Sequence, residues 1–194
     1  QLNLLCWNVR GIMSSAYSLS NLLNAHNTDV ALITEHKLFP HSRDFLGSID
    51  PGYSFTSVEC ESKHPYQRST CGRGGVAILY RKHLLQHIER LHDCQSDRIL
   101  GVELRLKTCI PIYIIVVYLP ADNDIRAFRE TLSELEAFVT HFNNLGNVII
   151  AGDFNAQLRY TGSTSISISK SRALSDFCTS LSIVPLNYSP IADG

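Results

Sequence analysis

The sequence predicts an α/β fold, and three observations carry that prediction. Apolar runs of strand length recur along the chain, helical patterns fall between them, and no repeat or linker separates the two kinds. Leu2 to Trp7 is the first such run. Ser15 to Asn27 follows, with Leu19, Leu22, Leu23 and Ala25 at helical spacing behind an opening serine. Val30 to Thr34 is a second buried strand, and strand–helix–strand order points to a βαβ unit with both sheet faces covered.

The remaining elements follow in order. Tyr53 to Glu59 has the character of an edge strand and Gly75 to Tyr80 that of a central one. Between them lies a polar stretch, Glu61 to Gly74, closed by Gly-Arg-Gly-Gly and read as a loop. Leu100 to Leu106 alternates apolar and polar residues, which predicts a half-exposed strand. Its hairpin partner is Ile112 to Tyr118, through a connection at Lys107 to Pro111. Asn123 to Asn144 is the best helix, with Phe128, Leu132, Leu135, Phe138, Val139 and Phe142 on one stripe, Asp124 at its start and Asn144-Leu145-Gly146 at its end. Asn147 to Ala151 is another buried strand. Thr161 to Ser171 is serine-rich and read as a loop, Ser171 to Leu181 as a helix, and Ile183 to Leu186 as a short final strand.

Composition bounds the function. The 194 residues suit one domain, and the 44% hydrophobic share suits a sizeable core and argues against disorder or a coiled coil. A formal net charge of −1 leaves no strong basic excess, so any nucleic-acid surface must be local. No apolar run approaches the roughly 18 residues that span a bilayer, and the N-terminus lacks a signal-peptide layout, so no membrane partner and an intracellular setting are expected. Cys6, Cys60, Cys71, Cys94, Cys109 and Cys178 have no metal-finger spacing and are expected to be reduced, mostly buried thiols. The chain opens at Gln1, and its only methionine is Met13; it is expected to be a piece of a longer polypeptide.

Four short strings sit where an apolar strand gives way to a loop, the usual place for sites in open α/β sheets. They are Trp7-Asn8-Val9-Arg10-Gly11, Thr34-Glu35-His36-Lys37, Val117-Tyr118-Leu119-Pro120 and Gly152-Asp153-Phe154-Asn155. Together they supply carboxylates, carboxamides and a phenol. Magnesium takes oxygen ligands, usually with one or two protein carboxylates. Carboxamides hold phosphate or water without adding negative charge, and a tyrosine hydroxyl donates to a phosphate oxygen. The mixture suits metal-assisted phosphodiester cleavage. Each string alone has a plainer reading, since a lone Glu is usually solvated and a Gly-Asp-x-Asn turn is usually only a turn.

The order of these strings, with Gly-Gly-Val-Ala-Ile-Leu (74 to 79) between them, resembles the endonuclease/exonuclease/phosphatase superfamily. Trp7 to Gly11, Gly72 to Arg81 and Ala151 to Ala156 look most like endonucleases of non-LTR retrotransposons. The likeness runs from about Leu2 to Asn187. It implies a four-layer α/β/β/α sandwich of two packed mixed sheets, C-terminally truncated within a single domain 1–194. It further implies Glu35 as the principal metal ligand, Asn8 near the metal, Asp153 as base or orienter of the attacking water, and Asn155 and Tyr118 on the scissile phosphate. The metal would be Mg²⁺, with Mn²⁺ as an alternative. The partners would be DNA and a reverse transcriptase in the parent polypeptide, with nuclear action on DNA.

The likeness also breaks. Family members close with a further Asp and a Ser-Asp-His string, whereas after Asn155 this chain has only Asp176 and Asp193 as acids, and no histidine after His141. His36 is a poor stand-in because adjacent strand residues face opposite ways. Nicking by residues 1–194 alone is therefore expected to be badly impaired. Arg10 stands where some relatives carry a carboxylate, and Ala121 where some carry Asn, with Asn123 close by. The local case for nucleic acid is the loop bearing Lys63, Arg68 and Arg73 with His64 and Tyr66 interleaved, and Arg10, Arg159, Lys170 and Arg172 could add charge to the same rim. Two alternatives stand beside the nuclease: a lipid or small-molecule phosphoesterase on the same scaffold, and a non-catalytic remnant.

Overall fold

The computed structural model describes residues 1–60, 72, 74–92, 96–107, 109–158 and 165–186. Strand β1 (Leu4–Asn8), helix α1 (Ile12–Ala25) and strand β2 (Val30–Thr34) form the expected βαβ unit, with β1 and β2 parallel. Strands β3 (Tyr53–Val58) and β4 (Val76–Arg81) complete a four-stranded sheet in the order β1-β2-β4-β3, so the third strand is an edge and the fourth is central, as their sequences suggest. The second sheet, in the order β5-β6-β7-β8, comprises β5 (Ile88–Arg90), β6 (Ile99–Leu104), β7 (Ile112–Tyr118) and β8 (Asn147–Asp153). Helix α2 (Ile125–Asn143) makes the crossover between parallel β7 and β8, a second βαβ unit. Helix α3 (Ser165–Ser180) packs beside it.

Three apolar clusters define the layers. α1 covers one outer face with Ile12, Leu19 and Leu23 against Ala31, Ile33, Ala77 and Leu79. Alternate residues of the same strands, Val30, Leu32, Val76 and Ile78, turn inward and meet Leu100, Val102, Ile114 and Val116 of the other sheet. On the far side, Phe128, Leu135, Phe138 and Phe142 of α2, with Leu174 and Phe177 of α3, cover Tyr113, Ile115 and Val117. The result is helix, sheet, sheet, helix: the four layers expected.

Helix α2 stands on the strongest local signals. Asp124 caps it, its carboxylate accepting from the backbone N–H groups of Arg126 and Ala127, both at 3.0 Å.

The structure corrects several readings. α1 begins at Ile12, a buried residue, three positions earlier than its serine suggested. β6 is buried along nearly its whole length because both faces are covered, so its polar alternation did not mark an exposed face. Ser165 to Ser171 belongs to α3 rather than to a loop. The serines there add side-chain bonds, Ser169 donating to the Ser165 carbonyl at 2.8 Å and Ser171 to the Gln157 carbonyl. Ile183 to Leu186 joins no sheet. Cysteine burial is also less than expected. Cys60 is buried, but Cys6 and Cys109 are exposed and Cys178 is half-buried.

Candidate metal and phosphodiester site

The carboxyl ends of the four parallel-paired strands, β1, β2, β7 and β8, meet at one mouth of the sandwich, and the candidate residues stand on them. Asn8 ends β1, Glu35 follows β2, Tyr118 ends β7 in register with Asp153 at the end of β8, and Asn155 lies two residues on. Asn8 joins the two sheets. Its amide nitrogen donates to Glu35 Oε1 at 2.9 Å and to Asp153 Oδ2 at 2.6 Å. Both carboxylates therefore lie within hydrogen-bond reach of one nitrogen atom. The Asn8 carbonyl oxygen is turned the other way and accepts the Arg10 N–H at 3.1 Å.

The surrounding bonds fix each group. Asp153 Oδ1 accepts the Asn155 backbone N–H at 3.1 Å, and the Asn155 amide donates to the Leu119 carbonyl at 2.9 Å. The Tyr118 hydroxyl lies beside the Glu35 carboxylate, and Lys37 Nζ is 3.5 Å from Glu35 Oε2. Burial alone would raise the Glu35 pKa. The Asn8 amide, the Lys37 charge and the Tyr118 hydroxyl together outweigh it and hold the carboxyl below its ordinary value. The same arrangement acts in reverse on the phenol. Burial, and then the negative charge of Glu35, push Tyr118 up to about 12, so it keeps its proton and remains a donor at neutral pH.

Backbone strain concentrates here. Of the six described non-glycine residues with positive φ, four lie beside the mouth, Arg10 (50°), Glu35 (56°), Lys37 (60°) and Asn155 (46°), and two, Asn27 and Ser182, lie elsewhere. Two glycines make the geometry possible. Gly75 (φ 83°) leaves room for His36, whose ring would lie 2.6 Å from an added Cβ. A side chain on Gly152 (φ 153°) would overlap the Val117 carbonyl of the neighbouring strand. His36 itself points away from the carboxylates and is 1% exposed. Its Nδ1 accepts the Leu38 N–H and its Nε2 lies 3.0 Å from the Val58 carbonyl.

Two residues that sequence reasoning left aside or misplaced belong to the neighbourhood. Arg98 lies immediately before β6, opposite Tyr118. Its carbonyl accepts the Tyr118 N–H at 2.9 Å, and its guanidinium carbon sits 5.4 Å from the centre of the Tyr118 ring. The only sequence signal was an arginine directly before an apolar strand. Lys170 was expected to add charge to the rim, but it is 5% exposed. It donates to the carbonyls of Pro120 (2.8 Å) and Asp122 (2.7 Å) and lies over the Phe128 ring. It lines a cavity of about 520 Å³ beside Asp153 and Asn155, with Ala121, Asn123 and Ser167 also on its walls. Arg10 and Arg172 are exposed. Lys63, Arg68, Arg73 and Arg159 lie outside the described residues.

An oxygen-only pair of carboxylates fits a hard divalent cation such as Mg²⁺ and not a zinc site. Among the described residues, no third His, Cys, Asp or Glu joins them in a metal-holding group.

The sequence pattern of the Endonuclease/Exonuclease/phosphatase family matches residues 5–189. The chain belongs to that family. A relative by sequence is the RNA-directed DNA polymerase from mobile element jockey of Drosophila funebris. It is 32% identical over an alignment of 161 residues that covers 81% of this chain and 15% of that protein. The family fold recurs in an AP endonuclease from Leishmania major (TM-score 0.67, 18% identity, 93% of this chain and 66% of that one). It recurs again in the endonuclease domain of TRAS1, a telomere-specific non-LTR retrotransposon (TM-score 0.61, 16% identity, 91% and 71%). The chain thus spans about two thirds of these solved family structures.

Proposed function

We propose that this chain is the phosphodiester-cleaving unit of a DNA-nicking endonuclease of the non-LTR retrotransposon kind. In this reading it works with Mg²⁺ or Mn²⁺ inside a polypeptide that also carries a reverse transcriptase. The observation that carries the reading is the Asn8 amide held between Glu35 and Asp153, which brings carboxylates from separate sheets to one point.

Glu35, ionised below the ordinary carboxylate range, is the residue that would hold the cation. Asn8, with its nitrogen toward both carboxylates, orients them rather than lending its oxygen. When bound, a divalent cation supplies charge stabilisation at the phosphate and a water of lowered pKa. Asp153, held from behind by the Asn155 N–H, takes the proton of the attacking water. Tyr118 stays protonated and donates to a phosphate oxygen. Asn155, whose amide is engaged by Leu119, acts chiefly by fixing Asp153.

Supercoiled plasmid incubated with the chain and Mg²⁺ tests this. Nicking that is lost in EDTA, in Glu35→Ala and in Asp153→Ala supports the nuclease, and with two carboxylates in the group among the described residues it is expected to be slow. Phosphate release from inositol phosphates with DNA left intact would favour a small-molecule phosphoesterase instead. Metal-independent DNA binding with no turnover of either substrate would identify a binding remnant.

A further inference from the structure

We propose that His36 is a positioning residue for the cation site, its imidazole bonds locking the left-handed turn that delivers the Glu35 carboxylate. The proposal rests on the metal-dependent reading above and deepens it. His36 acts through Glu35, since its own ring points away from the carboxylates.

The backbone supplies the argument. Glu35 (φ 56°) and Lys37 (φ 60°) both stand in the left-handed region, one on each side of His36. Residues with a Cβ rarely adopt that conformation, and it persists only where surrounding bonds over-determine it. The kink at Glu35 is where the chain leaves the fully buried strand β2, with its carboxylate on the Asn8 amide. Backbone bonds grip the turn from outside. The Gly11 N–H donates to the Glu35 carbonyl at 2.8 Å, and the Lys37 N–H to the Gly74 carbonyl at 3.0 Å.

The His36 ring braces the same turn from within. Its Nδ1 accepts the Leu38 N–H at 3.0 Å, a bond that spans Lys37 and closes the turn. An accepting Nδ1 leaves the ring proton on Nε2, which donates to the Val58 carbonyl at 3.0 Å. The two bonds divide the work. The first acts on the turn itself, whereas the second fastens it to the end of β3 and so weighs on the fold. The ring is 1% exposed, and it fits because Gly75 carries no Cβ. A buried ring with both nitrogens engaged by backbone is built to brace rather than to react. A partner that orients a metal ligand typically sets metal affinity by about 10–100-fold.

The imidazole can be divided chemically. An asparagine amide stands as many bonds from Cβ as Nδ1 does, and a glutamine amide as many as Nε2. His36→Asn therefore keeps the Leu38 bond and loses the Val58 bond, and His36→Gln does the reverse. Mn²⁺ binding to the whole chain without DNA, read from the electron paramagnetic resonance signal of the free ion, tests the proposal. Thermal unfolding sets a temperature at which each variant is folded. The expected result is Mn²⁺ binding that disappears in Glu35→Ala, weakens about tenfold or more in His36→Gln, and stays within about twofold of wild type in His36→Asn. His36→Asn should nonetheless melt at the lower temperature of the two. A purely structural histidine would make affinity follow melting temperature, with His36→Asn the weaker binder, and that pattern overturns the proposal. So does wild-type affinity in His36→Gln. Gly75→Ala offers a second route, because the new Cβ would lie 2.6 Å from His36 Cε1 and displace a ring that keeps both nitrogens. It should weaken Mn²⁺ binding too, and wild-type affinity there counts equally against His36. Each of these failures leaves the metal-dependent reading standing. A wild-type chain with no Glu35-dependent Mn²⁺ binding overturns that reading and the His36 proposal together.

Discussion

At the scale of single residues, the site is a set of charges held out of balance by their neighbours. Glu35 carries a desolvation cost that the Asn8 amide, Lys37 and Tyr118 outweigh, so its folded-state pKa is lowered. A lowered carboxylate contributes stability that is present above its unfolded value, near 4.5, and is lost as pH falls through the folded one. Chemical denaturation of metal-free wild type and Glu35→Gln should therefore show the wild type ahead at pH 7, with the gap closing in acid below 4.5. A gap that is constant across that window would mean the Asn8 amide and the Tyr118 hydroxyl do not favour the ionised form. Thr34, next along the chain, offers the reverse case. Its hydroxyl is the one buried side-chain polar atom without a hydrogen-bond partner among the described residues. Burying an unpaired hydroxyl costs about 1–3 kcal/mol. Thr34→Val keeps the shape and removes the cost, so a higher melting temperature is expected; a fall of several degrees would show that the hydroxyl has a partner in solution.

At the scale of elements, the sequence was most legible where polar letters directly follow an apolar strand. Asn8, Glu35, Tyr118, Asp153 and Asn155 could be found that way because βαβ units deliver strand ends to one mouth. The Asp124 cap and the apolar stripe of α2 were equally plain. What stayed hidden depended on tertiary contact. Nothing in Ser-Ile-Ser-Ile-Ser announces a helix, since its local alternation is closer to a strand, and its first turns are held by bonds to distant carbonyls. The three residues of β5 are too few for any periodicity to register. Lys170 reads as a surface charge until Pro120 and Asp122 are seen to surround it. That lysine ties α3 to the loop after β7, and hence to the Leu119 carbonyl that holds Asn155. Lys170→Met preserves much of the buried stem and leaves the carbonyls unpaired, with an expected loss of about 1–3 kcal/mol in urea denaturation. Cleavage should fall along with it, because the loop and Asn155 lose their anchor. Unchanged stability would assign the lysine to solvent instead.

At the scale of the whole molecule, the two sheets end on the same side of the sandwich. β1 and β8 are each the last strand of a sheet, with one ladder partner apiece among the described residues, and the two strands touch. Leu4 remains 39% exposed, and Leu4 and Cys6 share a strand face with Leu2, which packs on the cluster between the sheets. An unpaired edge beside exposed apolar side chains is a template for another strand. In isolation, residues 1–194 are expected to self-associate as concentration rises, and sedimentation velocity can follow this. Leu4→Glu places a charge on the inward face of that edge and should weaken association by about tenfold or more, equivalent to about 1.4 kcal/mol. The consequence reaches the chemistry, because Asn8 closes β1 and Asp153 closes β8. A strand added along either edge ends beside the carboxylate pair, so the associated form should nick DNA more slowly per chain than the monomeric Leu4→Glu variant. Equal sedimentation of wild type and variant at every concentration would show that the edge is shielded by some other part of the chain, and the expected difference in rate would disappear with it.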